Sequence, residues 1–599
     1  MKSTNIQDPE YFHKVVDCQY ACPSHTPVPE YIRLIAQERY AEAYMVNWES
    51  NVFPGVLGRT CDRPCEPACR RGRVEDKPVA ICRLKRVAAD NKGDVLAMMP
   101  KIPQQKNGKK IALIGGGPAS LTVARDLMPL GYEIDLYDNQ SSGGGFMRSQ
   151  IPSFRLPAEV LDQEVNFITD MGVVTHYNTH VDSLNSVLAK NYDAVFVGTG
   201  APRGRDLKLP GREEADANIQ IGINFLASVA FGHTTKVGKR VLVIGGGNTA
   251  MDCCRTARRL GGEDVRIVVR SPFEDMKASP WEIEDAQHEG IPFFNNHVPK
   301  EYVVKDGKLA GMNFEKVEVS HDADGKRVMK SSGEFVFFEC DDVLMAVGQE
   351  NAFPWIEAES GVEFDKWGMP VLDAVTYQAS NPKVFFGGDA AFGPKNVITA
   401  VAQGHQAAIS IDLFCQGGDV QNRPAPGTNL IGQKMGIHEW SYDSVVSHEL
   451  RHAVPHAPTE KALSDRMLEV ELGFDRAVGY EETQRCLNCD VQTVFTSSKC
   501  IECDACVDIC PTRCITFTHP QENEETLREH LSAPALNHEQ ALYIADGLST
   551  GRVMVKDEDV CLHCGLCAER CPTSAWDMQK YLYSVTKAGQ QGSGEQCAA

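Results

Sequence analysis

Two stretches near the C-terminus, "KCIECDACVDICP" (499–511) and "VCLHCGLCAERCP" (560–572), constrain the chain more than anything else in it. Each sets four cysteines in the pattern C-x2-C-x2-C-x3-C-P. Such a density of thiols does not build an apolar core. It presents sulfur ligands from tight turns to a compact inorganic group. The chain holds 22 cysteines, concentrated at its two ends, so the long middle has another task. "MKSTNIQDPEYFHKVVDC" lacks the apolar stretch of a secretory signal, and a cytoplasmic location is expected. In a reducing compartment, closely spaced thiols read as metal ligands or redox groups rather than disulfides.

The spacing is that of bacterial two-cluster ferredoxins, in which the fourth cysteine of each run serves the other cluster. One [4Fe–4S] cluster is therefore assigned to Cys500, Cys503, Cys506 and Cys571, and the other to Cys561, Cys564, Cys567 and Cys510. Zinc would ask for two separated C-x2-C pairs instead. Cys514 is left unassigned. The acidic stretch between the runs is a docking element or a tolerated insertion.

The middle carries two nucleotide-binding patterns. "KKIALIGGGPASLTVARDLMPLGYEIDLYDNQ" reads as strand, glycine turn, helix, strand and acid. Gly115 permits the turn and Gly117 the close approach of a pyrophosphate to a helix N-terminus. Ser120 is small enough for helix–strand packing, and Asp138 can accept a ribose hydroxyl. "KRVLVIGGGNTAMDCCRTARRLGGEDVRIVVR" repeats the pattern with Gly245 and Gly247, followed by Asn248 and Thr249, but its second strand ends in Arg270. Two such units suggest FAD in the first and NAD(P)H in the second. Further on, Gly388 and Asp389 precede a helix beginning near Val397, which contains Thr399. That acid suits flavin ribityl or pyrophosphate contact.

The motifs "IGGGPAS", "GGGFMRSQIPSFRLP", "YDAVFVGTG", "GGGNTAMDC" and "FFGGDAA" occur in one order over residues 10–420. In this the chain resembles the flavoprotein family of the glutamate synthase small subunit and the N-terminal half of dihydropyrimidine dehydrogenase. The resemblance implies an FAD domain split by an inserted NAD(P)H domain, with Phe146, Arg155 and Gly200 joining Asp138, Asp389 and Thr399 at the flavin. Members using NADPH tend to carry two adjacent cations where this chain has Arg270 and Ser271, with Lys277 farther away. The reading leans towards NADH and is written NAD(P)H.

The same family begins with a helical domain holding two [4Fe–4S] clusters. Here the first C-x2-C pair of its leader is missing, but "TQRCLNCD" supplies one downstream. The resemblance implies one cluster on Cys18, Cys69, Cys486 and Cys489, the chain returning to complete it. A second would take Cys22, Cys61 and Cys65. Lys85 stands where the family has a carboxamide or carboxylate ligand, and Cys82, three residues earlier on one helix face, is expected to replace it; the alternative is a buried spare thiol. Four clusters use sixteen cysteines, leaving Cys253, Cys254, Cys340, Cys415, Cys514 and Cys597.

The expected fold is α/β: two Rossmann-like dinucleotide-binding domains, an N-terminal α-helical iron–sulfur domain and a C-terminal α+β ferredoxin-like domain. The expected divisions are 1–105 helical, 106–205 and 349–420 FAD, 206–348 NAD(P)H, 421–490 a linker returning the cysteine pair, 491–582 ferredoxin, and 583–599 a flexible tail. A formal charge of −21 disfavours nucleic acid. No apolar run approaches the roughly 18–20 residues of a membrane span.

The flavin would take hydride from NAD(P)H, and the clusters would pass single electrons to or from a redox partner protein; no side-chain acid or base is named. The domain order resembles the DsrL-type flavoprotein linked to dissimilatory sulfite reductase. It also resembles electron-transfer subunits of 2-oxoacid:acceptor oxidoreductases. A hetero-complex or a homodimer is expected.

Overall fold

The computed structural model describes residues 2–322, 327–432 and 447–590. Cys597, the last nine residues of the expected tail, and 433–446 of the expected linker lie outside them.

The strand Lys110–Ile114 reads KIALI, a continuous apolar run, and its last four residues are buried. A parallel strand covered on both faces requires such a run. It lies at the centre of a five-stranded parallel sheet ordered 384–386, 194–197, 110–114, 133–137, 174–176. The helices Pro118–Leu127 and Val397–Cys415 pack together on it. Their approach is close: a Cβ on Gly404 would stand 2.6 Å from the Ala119 carbonyl oxygen.

A second parallel sheet, ordered 219–221, 342–345, 240–244, 264–268, 293–294, is inserted between strands 194–197 and 384–386 of the first. The chain leaves through Arg203–Gly204 and returns through Gln349–Glu350, and these two pieces pair antiparallel. An antiparallel meander (297–305, 308–321, 327–339) extends the second unit.

The N-terminal part is a bundle of short helices, including Val28–Ala36, Tyr40–Asn51 and Ile81–Asn91. The last strand, Trp576–Ser584, pairs antiparallel with both Gly427–Gly432 and Val491–Phe495. The two ends share a single apolar core, in which Phe12, Val16, Tyr31 and Ile32 meet Phe495, Tyr543, Met554 and Trp576. Burying each such side chain is worth roughly 1.5–3 kcal/mol, so the ends are joined as firmly as one domain.

Two expectations need correction. The tail does not begin at 583. The last strand runs to Ser584, Thr586 Oγ1 donates to the Pro424 carbonyl at 2.9 Å, and Gly589 N–H donates to Asp412 at 2.8 Å. The signal was alternation in "WDMQKYLYS", masked by the Gly/Gln run after it. The stretch between the cysteine runs supplies strands 543–545 and 553–556, which with 515–518 form a sheet. That sheet takes up the chain's own N-terminus, Thr4 N–H donating to the Ile544 carbonyl at 2.9 Å.

Candidate functional site

The turn after Lys110–Ile114 opens a cavity of about 540 Å³. Gly115 has φ +92°, and a Cβ there would stand 2.7 Å from the Gly198 carbonyl oxygen, so only glycine fits. Asp138 accepts from Gly116 N–H at 2.5 Å and from Gln140 N–H at 2.7 Å, which fixes turn and acid together. Gly115, Gly117, Asp138, Phe146, Arg155, Gly200, Gly388 and Asp389 all line the cavity. Burial pushes the Asp389 carboxyl up to about 6, although it accepts from Lys395 N–H at 2.9 Å. The Thr199 hydroxyl is buried at the cavity with no partner in the protein. An unpaired buried donor and a glycine turn at a helix N-terminus fit a dinucleotide.

Ser120 and Thr399 stand off this lining. Ser120 is fully buried beneath Gly198, where a Cβ would come within 2.2 Å of its Oγ, and so serves packing. Thr399 gives its backbone N–H to the side chain of Asn396 at 3.0 Å; Asn396, Val397 and Ala400 line the cavity instead. The proline and lysine before this helix obscured Asn396 as its N-cap.

The second glycine turn faces the same cavity, through Asn248 and Thr249. Gly245 has φ +143°, with a Cβ site 2.2 Å from the Ala346 carbonyl oxygen. Arg155 reaches across from the first unit to Asp252, at 2.7 and 2.8 Å, and to Glu282. Burial pushes the Glu282 carboxyl up to about 7, against the pull of Arg155. Arg155 thus joins the units as well as lining the cavity. Gly247, Arg270 and Lys277 lie outside the lining. Lys277 and Ala278 give their backbone N–H groups to the Gly246 carbonyl, each at 3.0 Å, which folds the Lys277 loop back on the turn.

The cysteines gather in fours. One small cavity is lined by Cys18, Cys69, Cys486 and Cys489. A second is lined by Cys500, Cys503, Cys506 and Cys571, and a third by Cys510, Cys561, Cys564 and Cys567 with Cys514 as a fifth. In the fourth group Cys82 lies in hydrogen-bonding contact with Cys61 and Cys65; burial disfavours the charge on Lys85 of the same helix, but the Cys82, Cys61, Cys65 and Cys22 sulfurs outweigh it and hold the ammonium charged. Four converging sulfurs per group, among tight turns, suit a cubane. Cys253, Cys254, Cys340 and Cys415 are buried and apart from these groups.

Three protein families match along the chain. Residues 109–404 match the pyridine nucleotide-disulphide oxidoreductase model. Residues 13–95 match dihydropyrimidine dehydrogenase domain II, 4Fe-4S cluster, and 499–575 the 4Fe-4S dicluster domain. The protein named NADP(+)-dependent formate dehydrogenase subunit beta, from Moorella thermoacetica, is 34% identical over 499 residues, 79% of this chain and 70% of that one. The chain belongs to the same oxidoreductase family as this subunit, with a pyridine nucleotide-disulphide oxidoreductase domain at 109–404. A protein from Geobacter sulfurreducens named NADPH-Fe(3+) oxidoreductase subunit beta is 32% identical, covering 81% of this chain and 77% of its own. The glutamate synthase [NADPH] small chain of Azospirillum brasilense is 31% identical, covering 67% and 86%. This oxidoreductase is an FAD- and iron–sulfur-dependent NAD(P)H enzyme with 4Fe–4S domains at both ends.

Sequence reasoning missed several residues of this oxidoreductase. Cys514 lines the third cavity with its Sγ 3.4 Å from that of Cys510; its place four residues past the run was the available signal. Arg70 lines the Cys18 cavity, and adjacency to Cys69 was the only hint of it. Among the described residues no helix is long and apolar enough to cross a membrane.

Proposed function

We infer that the chain is the NAD(P)H-oxidising, electron-distributing subunit of a larger cytoplasmic complex, with FAD in the first unit and four [4Fe–4S] clusters on sixteen cysteines. The observation that carries this reading is three small cavities lined by those cysteines, one drawing on both ends of the chain, and the contact of Cys82 with Cys61 and Cys65 beside them. FAD and the clusters, when bound, supply conversion between a two-electron donor and one-electron steps. The protein's part is to hold, orient and insulate. Gly115, Gly117 and Asp138 hold the first dinucleotide and Gly245 and Gly247 the second, and Arg155 keeps the two units facing each other. The Lys85 ammonium offsets negative charge in a buried site that water does not reach.

NADPH is the favoured donor, in place of the leaning towards NADH. The Lys277 loop returns to Gly246, and Val269, the residue before Arg270, stands against the same glycine; two cations flanking that turn suit a 2′-phosphate. The names of all three relatives carry NADP or NADPH.

The partner is a separate catalytic subunit with its own redox centre; two of the relatives are named as beta subunits. Sulfite reductase-type and 2-oxoacid oxidoreductase-type partners remain the two readings of domain order, and a formate dehydrogenase-type partner joins them. Capture of the native complex tests this. Sirohaem absorbance, thiamine diphosphate, or formate-dependent reduction of the bound protein identifies the partner class. Flavin bands and broad absorbance near 400 nm, bleached by NADPH, are expected of the chain itself. Colourless protein with stoichiometric zinc would sink the assignment.

A further inference from the structure

Arg70 is buried at 2% exposure and lines the cavity of Cys18, Cys69, Cys486 and Cys489. Its Nε donates to Asp17, the neighbour of Cys18. The other end of its guanidinium leaves that group: Nη1 donates to the carbonyl of Cys561 at 2.7 Å, to that of Asp559 at 3.4 Å and to that of Glu558. Cys561 belongs to the third group, with Cys510, Cys564 and Cys567. One side chain therefore touches the walls of two cysteine groups, one with Cys18 and Cys69 in the 13–95 module and the other within the 499–575 module. The remaining ferredoxin group has the opposite character, because Cys503 is the sole exposed cysteine among the described residues and Ile501 beside it is 62% exposed.

We propose that Arg70 is the positioning residue that fixes the contact across which electrons pass between the Cys18 group and the Cys510 group. This orders the ferredoxin module, with the Cys510 group facing inward and the Cys500 group at the outer end. The inference rests on the four-cluster reading above. NAD(P)H supplies the electrons, and each transfer oxidises one centre and reduces its neighbour by one electron, with no bond made or broken. Arginine suits the place because its planar fork serves a carboxylate and several carbonyls at once, whereas lysine presents a point charge. A buried cation beside both groups also favours their reduced forms.

The test uses the full-length holoenzyme with Arg70→Gln and Arg70→Lys, and Arg73→Gln as comparison. Arg73 lies near the same boundary but is 37% exposed, 3.2 Å from Asp559 and 3.6 Å from Asp17. Iron and flavin content are measured first; iron-free wild-type protein would overturn both the reading and the inference. Rapid mixing with NADPH then follows flavin and cluster bleaching separately, and paramagnetic resonance of the reduced protein reads potentials and spin coupling between centres. In Arg70→Gln, delivery to the ferredoxin module is expected to slow about tenfold while flavin reduction keeps its rate, and two cluster potentials fall. Arg70→Lys keeps the potentials nearer to wild type but loses rate. Arg73→Gln leaves all three unchanged. Unaltered rate and coupling in Arg70→Lys, which retains the charge and tolerates folding best, would overturn the proposal. So would an equal effect of Arg73→Gln, which would reduce the role to adhesion between modules.

Discussion

Arg33 grips the carboxylate of Asp490 with both terminal nitrogens, at 2.7 and 2.5 Å, across 457 residues of chain. Asp490 follows Cys489 directly, so this fork sets the returning cysteine pair against the helix Val28–Ala36. Asp490 is 8% exposed on its side chain and Arg33 25%. Arg33→Ala is expected to destabilise the protein by about 2–3 kcal/mol, in the range of a charge-assisted hydrogen-bonded pair. Denaturation followed by loss of absorbance near 400 nm measures it. A variant with unchanged midpoint and unchanged iron retention would mean that the cysteine pair is seated by other contacts.

Cys82 offers a direct count. If it is the fourth ligand with Cys22, Cys61 and Cys65, Cys82→Ala lowers bound iron by roughly a quarter and leaves flavin content alone. Iron assay against protein mass is sufficient. Full iron in that variant would return Cys82 to the role of a buried spare thiol.

Gly115→Val tests the first dinucleotide site. The added Cβ meets the Gly198 carbonyl at 2.7 Å, and φ +92° is strained for a β-branched residue. Purified protein should lack flavin bands while retaining cluster absorbance. Retention of stoichiometric flavin would move the cofactor elsewhere.

Arg270 and Lys277 should discriminate between donors. Alanine at either position is expected to cost about 1–2 kcal/mol, or roughly 5- to 30-fold, in KM for NADPH, and little for NADH. Equal effects on both donors would show that these cations do not meet the 2′-phosphate.

The pair Asp126–His405 predicts behaviour in acid. His405 Nδ1 lies 2.5 Å from Asp126, and its Nε2 is 2.9 Å from the Ser50 carbonyl, tying the helices Pro118–Leu127 and Val397–Cys415 to the N-terminal bundle. Burial opposes ionisation of Asp126, but His405 and Arg125 outweigh it and hold the carboxyl down at about 2. A carboxyl depressed in the folded state stabilises above its unfolded pKa, near 4, and that contribution fades as pH falls towards 2. The contribution is about 2 kcal/mol at neutral pH. Asp126→Asn should lower the neutral melting temperature and flatten the acid limb between pH 4 and 2. An unchanged acid limb would place the acid sensitivity on other carboxyls.

Much of this was legible because cysteine spacing and glycine turns are local signals. The runs at 500–510 and 561–571 lie within a few residues of themselves, and the strand–turn–helix around Gly115 is contiguous. Joining Cys486 and Cys489 to Cys18 and Cys69 needed the resemblance, since no local pattern spans such a distance. Arg70 and Asn396 escaped for a different reason. Their partners are backbone carbonyls and a helix start, and nothing in their own neighbourhood distinguishes them from surface polar residues. The strand Trp576–Ser584 was cut short because its pairing partners lie far back in the sequence.

The Cys18 group joins sulfurs from both extremities, and this imposes an order on biosynthesis. Cys18 and Cys69 emerge early, whereas Cys486 and Cys489 follow only after the flavoprotein has been made. At ribosomal speeds of roughly 5–20 residues per second, the early pair waits tens of seconds with half of its site missing. On the proposed four-cluster reading, assembly machinery delivering iron must either hold that half-site open or act after release, and a truncated polypeptide that stops before residue 486 would lack that cluster.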